Sequence, residues 1–225
     1  MTVVDSRRKR SHWFTEALII VVVALVVAAL VRAFVAQVFY IPSGSMEDTL
    51  NEDDWILVSK LSTEFGSPDR GDVVVFADPG GWLPASTSSS NPVRQALEFI
   101  GVAPDSAEGD LVKRVIGTGG DHVSCCDPQG RVVVNGQPLN EDYLYPGDKP
   151  GDSPIGCSGE FDVTVPADYL WVMGDHRSVS SDSRCQDDLD RFVPEDLVRG
   201  RAVAVIWPFQ HWDLLQKPDT FDSIS

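Results

Sequence analysis

The 225-residue chain is short of positive charge: 18 Lys and Arg stand against 34 Asp and Glu, a formal net charge of −16. Residues 1–32 hold five bases (Arg7, Arg8, Lys9, Arg10 and Arg32) and two acids (Asp5 and Glu16), so the remainder carries −19. So acidic a surface has no clustered Lys and Arg with which to grip phosphates, which excludes nucleic acid as a partner. Its plainer meaning is solubility. Long amphipathic helices are also lacking, apart from one short candidate around Val93 to Ile100, and no internal repeat is visible. Cysteine is scarce and confined to Cys125, Cys126, Cys157 and Cys185. Nothing after residue 41 is long and apolar enough to cross a membrane.

Near the N-terminus the opposite holds. Every residue from Ala17 to Val31 is apolar, and the run resumes after Arg32 and Gln37 through Ile41. This reaches the roughly 20 residues that span a bilayer core and predicts one membrane helix over residues 13–38. The preceding Arg7-Arg8-Lys9-Arg10 keeps residues 1–12 cytoplasmic by the positive-inside rule and puts residues 39–225 outside. A cleavable secretory signal shares the basic start, the apolar core and small residues such as Ala33 and Ala36; either reading exports the rest of the chain.

On that side disulfides persist, and four cysteines allow three pairings. A bridge between adjacent cysteines is uncommon, so Cys157 is expected to pair with Cys125 or Cys126. A zinc site from His122, Cys125 and Cys126 fits an oxidising compartment poorly. No metal or other cofactor is implied.

Beyond the anchor the apolar runs are short, rich in Val and Ile, and bounded by Gly, Pro and Asp, the mark of strands. Trp55–Val58, Val73–Phe76, Leu111–Ile116, Val132–Val134, Phe161–Val165, Tyr169–Met173 and Ala202–Trp207 are predicted strands. Asn135-Gly136 after a Val run predicts a tight hairpin. Residues from Pro79 to about Asp110, with the hydroxyl run Ser86 to Ser90, read as an exposed loop. Residues 121–166 read as a small inserted β subdomain. The fold expected is mainly β.

The chemistry-bearing stretches occur in a fixed order. Ile41-Pro42-Ser43-Gly44-Ser45-Met46-Glu47-Asp48-Thr49-Leu50 follows the membrane segment at once. Then come Arg70-Gly71-Asp72-Val73-Val74-Val75-Phe76 and Val112-Lys113-Arg114-Val115-Ile116-Gly117. Last come Met173-Gly174-Asp175-His176-Arg177 and Ser180-Ser181-Asp182-Ser183-Arg184. Behind an N-terminal anchor, this order resembles the bacterial type I signal peptidases, Ser-Lys proteases, from the anchor to about Trp207. The resemblance implies an antiparallel β catalytic core and cleavage of signal peptides from exported preproteins after Ala-x-Ala-like sites. It implies Ser45 as nucleophile, Lys113 as general base, Ser43 as an oxyanion-hole hydroxyl and Ser180 as the group that orients the lysine. Asp182 and Arg184 match a supporting ion pair. The implied partners are preproteins, the lipid bilayer and the secretion translocon.

The chain departs from the commonest pattern at Asp48, where proline is frequent, and at His176 and Val179, where asparagine is frequent. None of these removes a reacting atom. His176 raises a Ser-His-Asp alternative, but the Lys113-Arg114 motif is intact.

The implied roles have a physical requirement. A lysine can take a serine proton only when neutral, and with an ordinary pKa near 10.4 about one in a thousand is neutral at pH 7. Burial must depress it. In an alternating strand Leu111 and Val115 share the face of Lys113, which predicts dry surroundings. A lysine at a sheet edge can also snorkel to water, and a tethered, non-enzymatic envelope-binding β domain is the alternative function. Phe39, Trp82, Phe209 and Trp212 are candidates for contact with lipid.

Overall fold

A computed structural model describes residues 6–61, 66–83 and 109–224. The Val93–Ile100 helix candidate and most of the Pro79–Asp110 loop lie outside them.

Helix α1 runs from Ser6 to Phe34. Its Trp13–Arg32 window has a mean hydropathy of 2.9, and its 20 residues span about 30 Å, long and apolar enough to cross a bilayer. The helix ends before the predicted boundary at residue 38. From Ala36 to Tyr40 the chain is strand β1, paired antiparallel with β2 (Trp55–Ser59) in the register Ala36↔Ser59 to Tyr40↔Trp55. Apolarity alone did not distinguish the apolar helix from the strand after it: Phe39, proposed for lipid, is 1% exposed inside the core.

The main sheet is antiparallel in the order β1-β2-β11-β3-β4-β9-β10, with β12 alongside β11. Its remaining strands are β3 (Val73–Ala77), β4 (Asp110–Gly117), β9 (Tyr169–Met173), β10 (Val193–Pro194), β11 (Val198–Trp207) and β12 (Asp213–Leu214). A second sheet, ordered β7-β6-β5-β8, is built from β5 (His122–Cys125), β6 (Val132–Val134), β7 (Gln137–Pro138) and β8 (Phe161–Thr164). Asn135 and Gly136 turn the β6–β7 hairpin with φ of 51° and 79°, the doubly positive pair such a turn needs. The second sheet does not fold around a core of its own: Val123, Val132, Val134 and Phe161 share one buried cluster with Ile116, Trp171, Met173 and Phe221.

Strand β3 buries both faces. Val73 and Val75 join Phe39, Met46, Leu50 and Ile56 on one side. Val74 and Phe76 join Trp82, Val115 and Leu170 on the other. Trp82, a second lipid candidate, is thus 6% exposed, whereas Phe209 and Trp212 are 73% and 59% exposed.

The cysteine expectation is overturned. Cys157 is bonded to Cys185, with Cα atoms 4.2 Å apart, and Cys125 to its neighbour Cys126. Long-range packing made the choice: the Ser158 N–H donates to the Arg184 carbonyl at 3.2 Å, which brings the 150–160 loop against the segment carrying Cys185.

Candidate active site

Residues 41–50 close the loop between β1 and β2. The Ile41 N–H donates to the Asp54 carbonyl and the Asp53 N–H to the Ile41 carbonyl, each at 2.9 Å. Met46 and Leu50 are buried at 1% and 0% exposure and pin the loop to the core. Between them and the extended Ser43, Gly44–Met46 form a single 3₁₀ turn. The turn lifts Ser45 toward β4.

Lys113 meets it there, with Nζ 2.6 Å from Ser45 Oγ. The ammonium donates in this contact; the neutral amine accepts from the hydroxyl along the same line. Lys113 is 2% exposed and pairs across the sheet with Val74, on the face that also carries Leu111 and Val115. Burial, the largest influence, lowers its pKa to about 8, with Arg184 pushing the same way and Asp182 and Asp175 opposing. This is the direction a general base requires.

The 173–184 segment packs behind the pair. The His176 N–H donates to the Ser45 carbonyl at 3.2 Å. A Cβ at Gly174 would stand 2.4 Å from that carbonyl oxygen and 2.2 Å from Ser180 Oγ, so only glycine lets the two approach. Ser180 is fully buried, and its hydroxyl donates to Asp182 Oδ2 at 2.8 Å rather than to the Lys113 amine. That oxygen also accepts from the Gly174 N–H at 3.0 Å and from Arg184 Nη2 at 2.8 Å, while Arg184 Nε reaches Oδ1 at 2.8 Å. Burial would raise the Asp182 carboxyl, but the Arg184 charge and these hydrogen bonds outweigh it and hold the pKa below the usual aspartate range.

Ser43 is exposed and lines the same groove as Ser45, Ile41, Pro42, Leu111 and Lys113. The His176 ring stacks on Tyr145 at 3.9 Å, and its Nδ1 lies 3.2 Å from the Gly44 carbonyl and from Glu47. It engages the Gly44 carbonyl rather than the Ser45 hydroxyl, so the Ser-His alternative gains no support. His122 and His211 pair with Asp162 and Asp54 away from the groove.

Two ion pairs behind the site carried no sequence assignment. Arg114 Nε donates to Asp175 Oδ1 at 2.9 Å, and Thr49 Oγ1 donates to Asp175 Oδ2 at 2.6 Å, tying the Ser45 loop to β4. Arg177 and Glu141 form a fully buried pair. Arg114, Asp175 and Arg177 lie inside the ordered motifs, which was a usable signal; Glu141 offered none.

A hydroxyl held against a dry amine beside a strand edge suits peptide-bond hydrolysis. Residues 14–207 match the family described as "Signal peptidase, peptidase S26". The chain is 43% identical to the signal peptidase I of Mycobacterium tuberculosis, over 94% of this chain and 79% of that protein. It is 34% identical to the signal peptidase I of Leptolyngbya laminosa, over 96% of this chain and 91% of that protein. A solved signal peptidase I from Enterococcus faecalis superposes loosely, with a TM-score of 0.36 at 23% identity over 60% of this chain and 95% of that one. The chain belongs to the signal peptidase family of hydrolases, peptidase S26.

Proposed function

We propose that the chain is a membrane-bound serine endopeptidase that removes signal peptides from exported preproteins, with Ser45 and Lys113 as its reacting pair. The 2.6 Å contact between a hydroxyl and an amine whose pKa lies near 8 is the observation that carries this reading. Lys113 takes the Ser45 proton as Oγ attacks the scissile carbonyl. The Ser43 hydroxyl and the Ser45 backbone N–H stabilise the oxyanion. The Lys113 ammonium then protonates the leaving amine, and water hydrolyses the Ser45 ester with Lys113 again as base. Ser180, its own proton committed to Asp182, keeps oxygen lone pairs with which to accept from that ammonium; Asp182 and Arg184 fix Ser180.

Helix α1 anchors the enzyme with its basic N-terminus cytoplasmic and residues 39–225 extracytoplasmic. Ser45 follows the helix by eleven residues, a reach of at most about 40 Å, of which the five residues of β1 take about 17 Å. The nucleophile therefore works near the membrane surface, where a leader peptide leaves the bilayer and the translocon delivers it. Phe209 and Trp212 are exposed enough to rest on lipid. The groove's apolar walls suit small leader side chains, which is the reading behind Ala-x-Ala-like sites.

The test is incubation of the detergent-solubilised chain with a precursor carrying an Ala-x-Ala leader, reading the new N-terminus by mass. Cleavage after the second Ala is expected, with a loss of at least a thousandfold in Ser45→Ala and Lys113→Ala. Near-normal activity in either variant overturns the mechanism, and an inert parent chain favours a tethered binding domain.

A further inference from the structure

Leu83 stands in the groove, yet it belongs to none of the ordered motifs. It lies just beyond β3 and lines the same cavity as Pro42, Ser43, Ser45, Leu111 and Lys113. Its backbone is pinned by others. Asp78 Oδ1 accepts from the N–H groups of Gly80 (2.9 Å) and Trp82 (3.1 Å), and Oδ2 accepts from the Leu83 N–H (3.2 Å). Trp82 beside it is buried, edge-on to Phe76 at 5.8 Å, and its Nε1–H donates to the Asp190 carbonyl at 2.9 Å. These five contacts hold the segment in place and leave the half-buried Leu83 side chain to the groove wall.

The register of the sheet says which part of a bound leader it meets. Phe76, against which Trp82 packs, pairs with Leu111, whereas Val74 pairs with Lys113. Leu83 therefore belongs at the level of Leu111, two residues along β4 from the base, a distance of about 7 Å. Strand β9 pairs with β4 only from Arg114 onward, so among the described residues the β9-side edge of Asp110–Lys113 is open. A leader adding there as an extended strand parallel to β4, with its scissile carbonyl between Ser45 and Lys113, presents the side chain two residues upstream of the cut residue at the Leu111 level.

We infer that Leu83 is a specificity-determining residue that limits the size of the leader side chain at the third position before the cut. The inference rests on the signal-peptidase reading above. A wall of fixed aliphatic carbon admits Ala and resists a longer side chain by steric exclusion, a discrimination on the order of tenfold or more per added group.

The experiment compares the full-length chain and Leu83→Ala in detergent on two precursor series. One series carries Ala, Val, Leu or Phe at the third position before the cut, with Ala at the first; the other reverses the arrangement. In Leu83→Ala the Leu-to-Ala ratio of kcat/KM at the third position is expected to rise on the order of tenfold, with the first-position ratio unchanged. Asp78→Ala, which releases the pin but keeps the leucine, shifts the same ratio by less. A third-position ratio equal to that of the parent chain, or a change at the first position instead, overturns the inference while cleavage of the Ala-x-Ala precursor upholds the reading beneath it. A parent chain that cleaves no leader overturns both.

Discussion

Two regions of this protein bury cations to the same degree and treat them in opposite ways. In the groove, Lys113 is 2% exposed and touches a neutral hydroxyl. Behind the groove, Arg177 is fully buried but faces Glu141, and its guanidinium also donates to the Gly174 and Pro150 carbonyls at 3.0 and 2.8 Å. Burial disfavours both charges. For Arg177 the Glu141 carboxylate outweighs it and the pKa rises; for Lys113 the carboxylates of Asp182 and Asp175 do not, and the pKa falls to about 8. The partner, not the depth, decides whether a buried cation stays charged. One region keeps a permanent charge that holds its loops, and the other holds an amine able to give up its proton near neutrality.

The largest effect expected from breaking this contrast is on stability. Replacing Arg177 with Met leaves the Glu141 carboxylate buried and unpaired, which costs about 3–5 kcal/mol. Urea unfolding should show it, and a loss below about 1 kcal/mol would mean that Glu141 finds another partner. A smaller effect is expected where the two regions join. Gly174→Ala drives a methyl group into Ser180 Oγ and the Ser45 carbonyl, so Ser45 must shift relative to Lys113. Activity on an Ala-x-Ala precursor should drop about a hundredfold, since a displacement of about 1 Å has that cost. Full activity would show that the turn at Ser45 adapts.

The smallest effect is the titration of Lys113 itself. With a pKa near 8, about one molecule in ten holds the neutral amine at pH 7, so kcat/KM should climb about tenfold per pH unit below 8 and level off above about 9. An activity that is flat between pH 6 and 8 would show a base that is already neutral. Stability should follow the same group. The folded chain releases this proton near 8 and the unfolded chain near 10.4, so between those values the unfolded state binds more protons. Lys113 therefore adds stability as pH rises through that window and detracts from it below 8.

Much of this contrast is legible in the amino-acid sequence. The order of the motifs picks out Ser45 and Lys113, and period-two alternation puts Leu111 and Val115 on the lysine's face. The depressed pKa follows from what a lysine base must do. Less legible is everything that depends on which distant segments touch. Val132 to Val134 and Tyr169 to Met173 announce themselves as strands through local composition, whereas β1 is hidden because a strand buried in the core is as apolar as a membrane helix. Ser180 falls within a motif, but its bond to Asp182 depends on how the 180–184 turn is oriented, and no spacing encodes that.

By itself the sequence determined one apolar span with a basic flank, a β-rich body, the Asn135-Gly136 hairpin, and a serine and a lysine within an ordered set of motifs. These are local properties: hydropathy, periodicity, turn chemistry and residue identity act over a few positions. Only the tertiary structure decided that Phe34 ends the helix, that Phe39 and Trp82 turn inward, and that Cys157 bonds to Cys185. It also put Arg177 on Glu141 and Leu83 in the groove. Each of these is a contact between segments far apart along the chain, selected when buried apolar area and paired polar groups are satisfied together across the whole sheet.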